Sequence, residues 1–248
     1  MKKNQIITRR KAILTGLASL GGLLLQGCSK PTPPSYRNIL RMGDNLTYLA
    51  QRTLLPGQSL VKEYRFGDIS SFPATGTTNP AESSKPDSFS EEYGRLLKTG
   101  FADWKLVIEG KVLRPGSYSM RDLQKFPARK QITKHTCEEG WTAIAEWTGV
   151  PLRHVLHTVG IIPSARFVNF YSYDGWIDSI DMLDALHPQT LLAYGMNGRD
   201  LPVPHGAPLR LRVETQIGYK SMKYLQRIEV TDEFVDTGDS GWAWYVGI

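Results

Sequence analysis

Only two of the 248 residues are cysteine, Cys28 and Cys137. That excludes a disulfide framework, a Cys-x-x-Cys redox pair, a Cys-x-x-Cys-His haem attachment site and any zinc module built on paired cysteines. No internal repeat is visible. The main apolar run, residues 12–25, is about fourteen residues long, short of the ~20 that a spanning helix needs. Acidic residues are absent from residues 1–27, which hold Lys2, Lys3, Arg9, Arg10 and Lys11. Without that segment the formal charge falls from +6 to about +1, so nucleic-acid binding has no compositional support.

What is present at the start reads as targeting. A basic stretch, an apolar run and Leu25-Gln26-Gly27-Cys28 fit a signal peptide with a lipobox, which makes Cys28 the expected lipidation site. Arg9-Arg10 within Thr8-Arg9-Arg10-Lys11 also resembles a twin-arginine address. The expected organisation is a signal at 1–27, a lipid-anchored linker at 28–36, an extension over 37–103 that packs on the body, and a main domain over 104–248. Residues 72–90, rich in Pro, Ser, Thr and Gly, read as a long loop that packs over the body or lines a pocket. From Trp104 onward, strands are expected at 104–110, 130–136, 166–173, 209–213 and 223–231. Helices are expected at 120–127, 152–159 and 179–185. Leu152, Val155, Leu156 and Val159 stand at helical spacing. Short strands and helices without regular alternation predict an α+β fold with a mixed sheet.

Three clusters could carry chemistry. The first is Cys137, at the end of a predicted strand in Lys134-His135-Thr136-Cys137-Glu138-Glu139-Gly140-Trp141. With Cys28 acylated it has no disulfide partner. Local chemistry leaves it a soft metal ligand, a covalent nucleophile or a buried small hydrophobe. His135, His154 and His157 lack a recognised zinc spacing with it, and a nucleophile's base would have to be His135, His187 or His205. The second cluster is Pro202-Val203-Pro204-His205-Gly206-Ala207-Pro208-Leu209-Arg210-Leu211-Arg212 followed by Gly218-Tyr219-Lys220-Ser221-Met222-Lys223. Rigid loops around a basic strand suit a phosphate site, or else a hairpin with a solvated basic face. The third, Ser172-Tyr173-Asp174-Gly175-Trp176, suits a turn.

Taken in order, with Met196-Asn197-Gly198-Arg199-Asp200-Leu201-Pro202 between them, these clusters resemble the molybdopterin-binding domain of the sulfite oxidase family. The resemblance implies a mixed-sheet fold around a molybdenum–molybdopterin cofactor in its mononucleotide form, with Cys137 as the protein's metal ligand. It places Ser172, His205 and Arg210 on the pterin or its phosphate, and Ser221, Met222 and Lys223 around that phosphate. Tyr64 and Arg65 are expected to contact the pterin, because Tyr64, Phe66 and Gly67 match a family segment whose Asn and Glu are absent here. The Cys137 segment is most like that of the periplasmic protein-methionine-sulfoxide reductases, which carry an acid two residues after the Cys and Trp four after it. Glu138 and Glu139 would repel sulfite, and Glu139 is a candidate for assisting protonation of a departing oxygen.

The expectation is a two-electron oxygen-atom transferase, acting on a small or protein-bound S-oxide or N-oxide, lipid-anchored on the periplasmic or cell-surface side of the cytoplasmic membrane. Its electrons would come from a separate membrane donor, haem- or quinol-linked. The alternatives are a sulfite-oxidising enzyme and a non-catalytic lipoprotein on the same fold.

Overall fold

The computed structural model describes residues 59–233, together with Leu46, Ala50, Thr53 and Leu54. The signal-like segment, Cys28, the linker and residues 234–248 lie outside the described residues.

Two sheets carry the fold. The first has the order β2 (Gly116–Ser119), β1 (Lys105–Gly110), β10 (Leu225–Thr231), β5 (Phe167–Ser172) and β6 (Ile177–Asp181). Its β1–β10 pair is parallel and its other pairs are antiparallel, so the sheet is mixed as expected. The second runs β3 (Arg129–Thr136), β4 (Thr142–Pro151), β7 (Leu191–Met196) and β8 (Arg199–Asp200), with β9 (Arg210–Arg212) on β7, all antiparallel.

The helices are short and locally encoded. In α1 (Glu91–Lys98), Ser90 caps the Tyr93 N–H at 3.1 Å, acids fill the first turn and Arg95 and Lys98 the last. In α2 (Met120–Leu123), Ser119 and Asp122 form a reciprocal capping box. In α3 (Leu152–Val159), Leu152, Val155, Leu156 and Val159 are all buried, and Gly160 ends it with φ 76°. In α4 (Met182–Ala185), the Asp181 carboxylate accepts from the Asp184 N–H at 2.8 Å. The helix expected over 179–185 is therefore half strand. Ser179 and Asp181 belong to β6 and pair with Asn169 and Phe167, and the Asp181 cap starts the helix late.

The larger core includes Trp104, Leu106, Ile108, Leu156, Phe170 and Ile228. A second, beneath the cleft described next, packs Trp147 with Ala145, Leu191, Ala193, Met196 and Leu201, and Phe72 lies against it. The expected basic face on β9 is not solvated. Arg210 and Arg212 are both buried, their guanidiniums 5.0 and 4.5 Å from the Trp147 ring centroid. Trp147, His135 and Glu214 cover Arg212, and Trp147 with the His205 and Ser221 carbonyls covers Arg210, so neither charge faces water.

Candidate active site

Cys137 follows β3 in a tight loop to β4. Its N–H bonds the Trp141 carbonyl at 2.9 Å, its carbonyl accepts from Gly140 N–H at 3.1 Å, and Gly140 takes φ 90°. That loop projects the thiol into a cleft of about 290 Å³, near the lower end of ligand-site volumes. Residues 72–77 wall one side. Loops bearing Asp174 and Trp176, His205, and Gly218 to Lys223 complete it, with Arg210 at its base.

The thiol is 6% exposed and lies 3.5 Å from Glu138 Oε2. Burial pushes its pKa up and the Glu138 charge adds to the rise, against a backbone N–H of Glu139 that lowers it. Such a site favours a thiolate only when a cation is supplied. Glu139 sits exposed at the mouth, its Oε2 accepting from Trp141 Nε1 at 3.1 Å.

Opposite the thiol lie positive charges with no carboxylate partner among the described residues. Arg210, 4% exposed, donates from Nη1 to the His205 carbonyl at 3.0 Å and from Nη2 to the Ser221 carbonyl at 2.7 Å. Its Nε is buried without a partner. Burial and neighbouring Arg212 press on its proton, which a guanidinium retains, so the strain becomes a demand for an anion. Lys223 Nζ donates to the carbonyls of Thr75 (2.8 Å), Pro204 (3.2 Å) and Thr77. Burial, then Arg210, lower its pKa to about 8. His205 falls to about 4 through burial, Arg210 and Lys223, and His135 to about 2 through burial, Arg212 and Arg210. Both imidazoles are neutral at physiological pH.

Of the residues singled out from sequence, the fold brings Cys137, Glu139, His205, Arg210, Ser221, Met222 and Lys223 into one cleft. Three do not join them. The Ser172 hydroxyl is turned onto the Asp174 carboxylate and the Trp176 carbonyl, closing its own turn. Tyr64 and Arg65 lie on the outer flank of β3: Glu63 bridges Thr133, and Tyr64 N–H bonds the Ile132 carbonyl at 2.8 Å. The Arg65 N–H is taken by Asp68 at 2.9 Å. The Ser221 N–H is likewise spent on Gly218, so it is not free for an anion.

Sequence reasoning assigned no role to Phe72, Thr75 or Thr77, nor to Trp141, Asp174, Trp176 and Tyr219, although these last four stand within its clusters. The loop-like composition of residues 72–90 was the one signal for the first three. Phe72 is a hub, its ring centroid 5.0–5.6 Å from His135, Trp141, Trp147 and His205.

A soft thiol facing an unpaired buried guanidinium and an ammonium suits a metal carried by an anionic organic cofactor. Residues 94–237 match the oxidoreductase molybdopterin binding domain. The chain belongs to this molybdopterin-binding oxidoreductase family. A protein-methionine-sulfoxide reductase subunit of Azospira oryzae, so named, is 33% identical over 96% of this chain and 87% of that one. The protein-methionine-sulfoxide reductase catalytic subunit of Xanthomonas campestris is 30% identical over 92% of this chain and 71% of that one. Among solved structures, the sulfane dehydrogenase SoxCD of Paracoccus pantotrophus superposes with a TM-score of 0.53 at 25% identity, over 55% of this chain. This chain spans 40% of that structure's length. The family's cofactor fits the cleft: Cys137 would hold the metal, and Arg210 and Lys223 the pterin phosphate. This is a molybdenum-cofactor oxidoreductase of the sulfite oxidase type.

Proposed function

We propose that this enzyme reduces an S-oxide, with N-oxides as a second substrate class, by two-electron oxygen-atom transfer outside the cytoplasm. The observation that carries the direction is the acid pair beside the ligand thiol. Glu138 stands 3.5 Å from Cys137 Sγ and Glu139 guards the mouth. Sulfite would approach against both carboxylates, while a neutral oxide pays no such repulsion. The names of the two reductase relatives point the same way.

The bound cofactor supplies the two-electron chemistry at molybdenum. The chain's residues do the rest. Cys137 anchors the metal, and Arg210 and Lys223 neutralise one phosphate, which favours the mononucleotide form. Phe72, Trp141 and Trp176 exclude water around the incoming group. Glu139, at the solvent edge, relays protons, so that oxide, two electrons and two protons leave as the deoxygenated product and water. The electrons come from a separate membrane donor, haem- or quinol-linked, and acylated Cys28 would hold the enzyme at that membrane.

A dithionite-reduced viologen assay with methionine sulfoxide, dimethyl sulfoxide and trimethylamine N-oxide, beside a sulfite oxidation assay, tests the chemistry. Oxide reduction without sulfite oxidation is expected; the reverse pattern sinks the proposal. Membrane fractionation of wild type and Cys28→Ser tests the anchor, and an unchanged distribution rejects it.

A further inference from the structure

His135 lies two residues before Cys137 and lines the same cleft, 7% exposed. Its Nδ1 is 2.6 Å from Arg212 Nη1. A guanidinium has only donors and keeps its proton in proteins. Arg212 therefore donates, Nδ1 accepts, and the ring's one proton sits on Nε2. Arg212 is not free to turn away. Its Nε and Nη2 bind the two oxygens of Glu214 at 3.2 and 2.9 Å, and Glu214 accepts from Gln131 at 3.0 Å. The imidazole is held by Phe72 and Trp141, with centroids 5.0 and 5.4 Å away. No hydrogen bond occupies Nε2 among the described residues. Gly218 packs on that edge of the ring, where a Cβ would stand 2.5 Å from Nε2, so any side chain there would cover the nitrogen.

We infer that His135 Nε2–H is a preset hydrogen-bond donor to the oxygen of an S-oxide entering beside Cys137, a role that rests on the reductase reading above. A sulfoxide oxygen is a strong acceptor, while the thioether product offers only a weak sulfur. A fixed donor there binds oxide over product and aims its oxygen at no cost of reorganisation. Nε2 keeps its proton throughout; the protons lost as water travel through Glu139.

The test uses the cofactor-loaded, oxidised full chain, labelled with ¹⁵N-histidine, in which no turnover occurs. His135, assigned by loss of its signal in His135→Gln, should show the Nε2–H tautomer. Dimethyl sulfoxide should shift that proton and dimethyl sulfide should leave it in place. In dye-linked kinetics, His135→Phe should raise KM for dimethyl sulfoxide about tenfold with a smaller change in kcat, and His135→Gln, which retains a donor, should recover most of it. An Nδ1–H tautomer, an unchanged KM in His135→Phe, or no shift in an enzyme that does reduce dimethyl sulfoxide overturns the donor and spares the reductase reading. A shift without any reduction keeps the donor and overturns the reductase reading.

Discussion

Cys137 acquires its meaning from atoms distant in sequence. Burial and then the Glu138 carboxylate disfavour a thiolate, and the cations that balance the site arrive from β9 and from Lys223. Cys137→Ala is expected to abolish dye-linked turnover while some pterin stays bound, measured as molybdenum and pterin per chain beside activity. Arg210→Met removes the guanidinium with the unpartnered Nε and should strip the cofactor even though Cys137 remains; full molybdenum content in that variant would reject the phosphate assignment. Gly218→Ala would push a methyl to 2.7 Å from His135 Cε1 and 3.2 Å from the Thr136 carbonyl. Overpacking of that kind costs about 1–3 kcal/mol, read as a lower Tm of the metal-free protein.

Elements were legible where one face alone is buried. Leu152, Val155, Leu156 and Val159 repeat at helical spacing, and α3 forms over the expected residues. Leu106 and Ile108 alternate with more exposed neighbours, and β1 follows. The strands β4 and β7 escaped because both of their faces are buried along most of their length. Thr142–Pro151 buries Ala145, Glu146 and Trp147 in succession and so shows no alternation to read. The segment of residues 72–77 has no periodicity either. Its place comes from Lys223 and from Tyr224 Oη, which donates to the Thr77 carbonyl at 3.0 Å. Lys223→Met should loosen it, with amide exchange there about tenfold faster, equal to ~1.4 kcal/mol. Exchange matching wild type would show that Tyr224 and Phe72 packing hold the segment without Lys223.

At the scale of the whole molecule, folding buries His135 and His205 in neutral form. The His205 pKa falls from 6.5 to about 4, so below 6.5 the unfolded chain binds a proton that the folded one refuses. Stability must then drop as pH falls from about 6.5 to 4, and be unaffected by this group above that window. Denaturant titrations of metal-free protein should show that slope, and His205→Phe should flatten part of it. An identical slope in both would mean that other groups carry the acid sensitivity.

The order of clusters along the chain determined the family and the mixed α+β class and singled out Cys137, Arg210 and Lys223, because those depend on residue type and local spacing. The tertiary structure alone decided which residues share the cleft. It turned Ser172 into its own turn, left Tyr64 and Arg65 on the flank of β3, and laid Phe72 and the carbonyls of Thr75 and Thr77 over the site. It also pointed Arg212 at His135, a pairing 77 residues apart. Contacts of that range are set by sheet pairing and chain return, which single-sequence periodicity does not encode.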